Sequence, residues 1–494
     1  MIRRPVRGSK TSGKTIKSLV IPALLAAVFV APTAHAAIDL IAMGSLSGSS
    51  AGSFADLSGL TGVLENGVAA NNLGGIGSGL AWAGGSTFIA TPDRGPNATS
   101  FNALVDDTSS YVSRFQTVDL ALTANNSGTG LAYNLTPTLT ATTLLSSTTP
   151  LTYGSGAGLG NQINGTPLGS GAPSINTASL NYFTGRSDNF NPLLPSSNPN
   201  NARLDPEGVR VSNDGRSVFV SDEYGPYVYQ FDRATGQRIK SFALPANLAI
   251  ANLSAQGSVE IANNTTGRVA NKGMEGLAIT PDGKTLVGIM QAPLEQDAKK
   301  NLRIVTIDIA TGATHEYGYK LTTGSGVSEI VALNDHQFLI DERDGSGLGN
   351  GDAAVVKQVF MIDLTGAVDV SGQAGTLSAV SKVLVLDLVS VLNAHGIASN
   401  QIPAKIEGMS FGQDVMVNGV LKHTIYFAND NDFVPGTAGA NNFYVFAASD
   451  AELGAIYQAQ QIAAVPEPQT YALMLAGLGL IGCAARRMKT KPSV

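Results

Sequence analysis

One short unit recurs along this chain and limits the folds open to it: an acidic residue before glycine, a tight turn, a strand, then a second polar cluster. Asp205-Pro206-Glu207-Gly208-Val209 precedes Asn213-Asp214-Gly215, the apolar run Ser217-Val218-Phe219-Val220 and Ser221-Asp222-Glu223. Gly273-Met274-Glu275-Gly276-Leu277 precedes Pro281-Asp282-Gly283 and a strand ending at Met290-Gln291. Lys405-Ile406-Glu407-Gly408-Met409 precedes a strand ending at Ala428-Asn429-Asp430. Weaker echoes are Gly326-Val327-Ser328-Glu329-Ile330 before Ile340-Asp341-Glu342-Arg343, and Gly77-Ser78-Gly79-Leu80 before Pro92-Asp93-Arg94. Successive steps from Glu207 to Glu275, Glu329 and Glu407 are 68, 54 and 78 residues. Repeats of about 40–50 residues lengthened by insertions are the mark of a β-propeller, each repeat being one blade that buries its faces only against its neighbours.

The text between the repeats agrees with an all-β chain. Short apolar runs alternate with Gly, Asn, Asp and Pro, and no long 3.6-residue period is present. Ser217 to Val220 pairs in this reading with Tyr227 to Phe231, Thr285 to Met290 with Arg303 to Ile309, Gln337 to Ile340 with Val355 to Ile362, and Thr424 to Phe427 with Phe443 to Phe446. Leu120 to Gly185 contains no Asp, Glu, Lys, Arg or His. Read as one or two blades with polar insertions, it brings the expected propeller to six or seven blades; a large β-sandwich or β-helix is the competing architecture.

The two ends are addresses rather than fold. Residues 1–36 carry Arg3, Arg4, Arg7, Lys10, Lys14 and Lys17, an apolar run from Leu19 to Val30, and Ala34-His35-Ala36 before Ala37: a signal peptide and its cleavage site. At the other end, residues 465–494 hold Val465-Pro466-Glu467-Pro468, an apolar stretch from Thr470 to Ala485 marginal in length for a membrane span, and Arg486-Arg487-Met488-Lys489. Six basic residues leave with the leader, and four basic residues with Glu467 leave with the tail. The 31 Lys+Arg and 37 Asp+Glu of the whole chain thereby become 21 and 36, a net charge of −15 on residues 37–464. That balance repels phosphate backbones and excludes a nucleic-acid binder, while it attracts cations. The one cysteine, Cys483, lies in the tail, so the propeller region has no disulfide, cysteine nucleophile or thiolate metal site.

In a propeller the innermost strands line the axial channel, so a Glu at the start of each would face the channel mouth. Several carboxylates converging on one axis need a cation, a guanidinium or raised pKa values to coexist. Glu207, Asp222, Glu275, Asp341, Glu407 and Asp430 are the candidate metal ligands, and Glu207, Asp222, Glu223, Glu275 and Glu407 the candidate catalytic carboxylates. Arg94, Arg343 and Lys272 are the candidate holders of an anionic substrate. The plainer role for each Glu is to accept backbone N–H bonds and close its blade. Other constellations are thin. Gly408-Met409-Ser410-Phe411-Gly412 matches G-x-S-x-G without the strand-turn-helix setting of a nucleophile elbow. His315, His336, His395 and His423 have no zinc-ligand spacing, and the glycines from Gly345 to Gly351 read as a loop.

The motifs around Glu207, Asp222-Glu223-Tyr224-Gly225-Pro226, Asn271-Lys272-Gly273-Met274-Glu275, Ile340-Asp341-Glu342-Arg343-Asp344-Gly345, Glu407 and Asn429-Asp430-Asn431-Asp432-Phe433 resemble the family described as "esterase-like activity of phytase", from about Gly74 to Phe446. The resemblance implies a propeller that hydrolyses phosphoesters or carboxylic esters, with Gln291 standing where an acidic residue is expected. Pro-Glu-Pro, apolar stretch and basic cluster together resemble the PEP-CTERM sorting signal of Gram-negative bacteria, which implies processing by an exosortase and transient membrane anchorage. The chain is then periplasmic, at the cell surface or in extracellular matrix. The functional expectation is an exported hydrolase using calcium on a small anionic ester. A non-catalytic surface or matrix protein binding polysaccharide, and a lactonase-like calcium propeller, are the alternatives.

Overall fold

The computed structural model describes residues 38–46 and 55–463; the signal peptide and the C-terminal membrane segment expected from the sequence lie outside them. Among the described residues no helix is long and apolar enough to cross a membrane.

The fold is a five-bladed β-propeller, one blade for each of the five motifs. Blade 1 comprises Gly79–Trp82, Thr87–Thr91, Arg114–Ala124 and Tyr133–Leu144, ordered from the axis outward. Blade 2 is Pro206–Val211, Ser217–Asp222, Tyr227–Asp232 and Arg238–Ala243, and blade 3 is Met274–Ile279, Thr285–Met290, Asn301–Asp308 and Thr314–Lys320. Blade 4 is Gly326–Ala332, Gln337–Arg343, Lys357–Asp363 and Lys382–Asp387. Blade 5 is Ile406–Phe411, Val420–Asn429 and Asn441–Ala448, and its outermost strand is Asp39–Leu46 from the other end of the chain. That antiparallel pairing, Asp39 against Ala447 through Leu46 against Asn441, closes the ring.

The expected six or seven blades were an overcount. The uncharged stretch does not form a blade of its own. Its first part, through Leu144, supplies the end of the third strand and all of the outermost strand of blade 1, and residues 145–205 are an insertion leading to blade 2, with only the short pair Ser146–Ser147 and Asn181–Tyr182 as regular sheet. Alternating Thr and Leu give the outer strands their two faces, one packed and one wet. All four strand pairs expected from the sequence are present, in register.

One hydrophobic cluster fills each seam between blades. Phe219, Val228 and Phe242 of blade 2 meet Leu277, Leu286 and Val305 of blade 3. Ala278, Val287 and Ile304 then meet Ile330, Phe338 and Ile340 of blade 4, and the other three seams are built alike. Fully burying one such side chain contributes about 1.5–3 kcal/mol. The blades sit between two seams each, so the inner strand Pro206–Val211 and the second strand Ser217–Asp222 are buried along their whole length.

After blade 5 the chain crosses the lower end of the channel. The Tyr457 ring stacks on Phe411 of blade 5, centroids 4.1 Å apart. The Gln458 N–H donates to Leu333 O below blade 4, Gln460 Nε2 to Val211 O at the end of blade 2's inner strand, and the Ala463 N–H to Asn213 O. This strap lies across the end of the channel opposite the one where the inner strands begin.

Candidate functional site

The inner strands of blades 2, 3, 4 and 5 begin with the same irregularity. The register slips between Pro206 and Val209, Met274 and Gly276, Val327 and Glu329, and Ile406 and Gly408. A bulge re-aims the side chain that falls in it, and the bulged positions hold Glu207, Glu275, Ser328 and Glu407. Glycine follows in three of the four because the next blade leaves no room: a Cβ on Gly208 would lie 2.4 Å from Leu277 N, and one on Gly276 2.7 Å from Ile330 N.

Blade 4 shows that the sequence alignment was off by one residue. Ser328 occupies the bulge, and Glu329 stands where the other blades have glycine. Its Oε1 accepts N–H bonds from Leu277 and Ile330, both 2.9 Å, and lies 3.1 Å from Arg210 Nη2. Arg210 also donates to Leu80 O and Ile330 O at 2.7 and 2.8 Å and reaches Met409 O. The pair therefore ties all five inner strands together deep in the channel. Burial pushes Glu329 up to about 7, partly countered by Arg210. No sequence signal marked Arg210.

A second ring comes from the residue just past each second strand. Asp222 pairs with Pro206, Met290 with Met274, Glu342 with Val327 and Asn429 with Ile406, so Glu223, Gln291, Arg343 and Asp430 are equivalent, and Asp93 takes that place after blade 1. The two rings converge. Gln291 Nε2 donates to Glu275 Oε1 at 2.8 Å. Arg343 Nη2 lies 2.5 Å from Glu407 Oε1 and 3.4 Å from Glu275 Oε1, and its Nε donates to Ser328. Arg94 pairs with Asp205 and, at 3.4 Å, with Glu223. Lys405 lies 2.9 Å from Asp430 and also pairs with Asp432.

Two groups in this mouth offer three carboxylates each, with oxygens within 4.8 Å of one another: Asp205, Glu207 and Glu223, and Asp93, Asp430 and Asp432. With Glu275 and Glu407 that makes eight carboxylates facing three cations, Arg94, Arg343 and Lys405. Glu207 is 6% exposed, and among the described residues no hydrogen bond reaches its carboxylate. Glu275 Oε2 is buried and equally without a partner. Burial first, then neighbouring carboxylates, push Glu207 and Glu275 well up from the usual range. Burial and Asp205 push Glu223 up to about 8. Burial and Asp430 raise Asp93, whereas Arg343 and Lys405 hold back the rise that burial causes in Glu407.

Of the sequence candidates, the structure brings Glu207, Glu223, Glu275, Glu407, Asp430, Arg94 and Arg343 to this mouth. Asp222 points away from it. Its Oδ1 accepts the N–H groups of Asp205 and Tyr224 at 3.1 and 3.0 Å, fixing the loop that carries Asp205. Asp341 is fully buried, with neither carboxylate oxygen hydrogen-bonded. Lys272 is exposed. Sequence reasoning passed over Asp93, Asp205 and Asp432 as candidates, although each adjoins or lies within a quoted motif. Ser410 is an inner-strand residue whose Oγ accepts the Trp82 N–H, and among the described residues each histidine pairs with an aspartate: His315 with Asp369, His336 with Asp363, His395 with Asp39 and His423 with Asp414.

Residues 71–433 match the family model Phytase-like, described as esterase-like activity of phytase. The chain belongs to the phytase-like family. The match takes in all of blades 1 to 4 and the acidic mouth of blade 5. Residues 464–489 match the PEP-CTERM protein-sorting motif, so the phytase-like propeller carries an export and sorting tail that an exosortase processes. An uncharacterized secreted protein of Arthroderma benhamiae is 33% identical over 29% of this chain and 35% of its own length, so the likeness spans about a third of that relative. Among solved structures, Kuenenia stuttgartiensis hydrazine synthase aligns over 72% of this chain and 78% of its own at 12% identity and TM-score 0.29. The β-propeller domain of Myceliophteria thermophila Cps50 (Swd1) aligns over 45% and 51% at 11% identity and TM-score 0.21.

Proposed function

We propose that this phytase-like propeller is an exported hydrolase of ester bonds and that its acidic mouth holds a divalent cation, calcium by the chemistry of the donors. The carrying observation is the excess of carboxylates over cations at the mouth, with Glu207 and one Glu275 oxygen lacking any partner. Hard carboxylate oxygens in flexible number suit calcium, and Asp205, Glu207 and Glu223 form the group that would hold it. Bound there, calcium supplies a Lewis acid for a phosphoryl or carbonyl oxygen and lowers the pKa of a water.

The chain's own residues supply the rest. Arg94 and Arg343, both at the rim and both already beside carboxylates, are placed to orient an anionic group by paired N–H donors. Glu275 sits next to the group around Glu207 and can accept a proton from an attacking water, while Gln291 Nε2 holds its carboxylate by a hydrogen bond.

The test is phosphate or acid release by the purified protein from a panel of phosphoesters, carboxylic esters and lactones, with calcium and with chelator. Chelator-sensitive release supports the reading and identifies the ester class. A folded protein that hydrolyses none of them is instead a surface or matrix binding protein.

A further inference from the structure

The strap that crosses the channel also sets where the sorting tail leaves the propeller. Ala463, the last described residue, is bonded to Asn213 O in the turn that follows blade 2's inner strand, on the face opposite the acidic mouth. Residues 464–489, the sorting motif, begin at the next position, and the sequence from 470 to 485 has no charged residue.

The same lower face carries an unusual hairpin. In blade 5 the connection between the inner and second strands is lengthened into a β-ribbon in which Val415 pairs with Lys422, Met416 with Leu421 and Val417 with Val420. Asn418 and Gly419, both with positive φ, make its tip, as a two-residue hairpin turn demands. Met416, Val420 and Leu421 are 54%, 54% and 58% exposed. Tyr133 Oη donates to Met416 O at 2.7 Å and ties the ribbon to blade 1. The other lower turns are polar, such as Asn213-Asp214-Gly215 and Pro281-Asp282-Gly283. Exposed apolar side chains flanking a polar turn, beside a membrane-directed tail, have the amphipathic character of an interfacial anchor.

We propose that, while the sorting tail anchors the protein, the Val415–Leu421 ribbon rests in the lipid surface, so that the propeller sits lower face down with its acidic mouth turned away from the membrane. The apolar side chains of Met416, Val420 and Leu421, flanking the turn, gain by entering the acyl boundary, and the tail leaving the same face supplies the proximity.

The test reconstitutes the full chain through its tail into phosphatidylethanolamine–phosphatidylglycerol vesicles containing brominated acyl chains. Met416→Trp reports at the ribbon. Leu193→Trp, at a position 89% exposed in the insertion before blade 2, reports away from the lower face, and wild type gives the background from Trp82, the only tryptophan. The expected result is a blue shift and bromine quenching at position 416, with neither at 193. Absence of quenching at 416, or equal quenching at both positions, overturns the proposal. Lower-face contact is further checked by Leu421→Asp in the Met416→Trp background, which is expected to lose the quenching while leaving the melting temperature of the soluble propeller in place.

Discussion

Arg343 Nη2 lies 2.5 Å from Glu407 Oε1, bridging the bulged position of blade 5 to the second ring of blade 4. The same nitrogen is 3.4 Å from Glu275, so one guanidinium from blade 4 serves carboxylates of blades 3 and 5. Both carboxylates are buried, and Arg343 is itself raised in pKa, its burial outweighed by Glu407, Glu275 and Asp341. The arrangement makes Arg343 a structural counter-ion as well as a candidate holder of substrate.

Arg343→Ala therefore leaves two buried carboxylates uncompensated, and breaking such a pair costs about 3–5 kcal/mol. Denaturant unfolding in chelator should show a loss of that order, and saturating calcium should return part of it. A loss of activity with unchanged stability would instead assign Arg343 to substrate alone.

The repeat was legible because the Glu-Gly pair is a backbone requirement as well as a chemical one: the bulge presents the Glu, and the crowding of adjacent inner strands demands the Gly. Where one requirement relaxes, reading by pattern fails. Blade 4 uses Ser328 in the bulge and spends Glu329 on Arg210, so the visible acid was aligned one residue late. Blade number was misjudged because a polar Thr- and Ser-rich stretch can form an outer strand pair, as Thr136 to Leu144 does, without supplying the inner strand that defines a blade. Arg210 was invisible because its partners are mostly backbone carbonyls of distant blades, which no local pattern records. Asp222 and Glu223 are adjacent in sequence, yet strand alternation sends them to opposite sides.

The raised carboxylates make metal-free stability fall as pH rises. An Asp or Glu whose folded pKa lies above its unfolded value keeps its proton in the folded state while the unfolded chain has lost it, so over that window the folded state binds more protons and stability declines with pH. Glu223, raised to about 8, and Asp341, raised to about 7, set that window between the ordinary carboxylate range and about 8. Thermal melts in chelator should give a higher Tm at pH 5 than at pH 8, and calcium should flatten the difference. A Tm in chelator that rises over the same interval would contradict the placement of these groups.

Arg210 and Glu329 form a pair whose halves are not separable. Arg210→Ala strands the Glu329 carboxylate beside an already unpartnered Oε2 and should cost about 3–5 kcal/mol. The combined Arg210→Met, Glu329→Gln variant should recover part of that loss, since the neutral amide still accepts the Leu277 and Ile330 N–H groups and no buried charge is left unpaired. Urea unfolding of the two variants and wild type checks it: a combined variant no more stable than Arg210→Ala would contradict the pairing.

Gln291 neutralises nothing and donates to Glu275, so Gln291→Glu adds a ninth carboxylate to the mouth. Stability in chelator should drop, while calcium affinity should tighten on the order of tenfold, because ligand charge tunes calcium sites. Isothermal titration of calcium into the variant and wild type reads the affinity, and thermal melts of both in chelator read the stability.

The central claim is that the carboxylates around Glu207 hold a cation used to hydrolyse an ester. Its most direct test is ester turnover by wild type and Glu207→Gln, with calcium and with chelator, alongside the melting temperature of each. The account predicts calcium-dependent turnover in wild type, none in the variant, and a variant Tm in chelator no lower than wild type, because an isosteric amide removes an unpartnered buried charge. Turnover by wild type that is indifferent to chelator and unchanged by Glu207→Gln would contradict it.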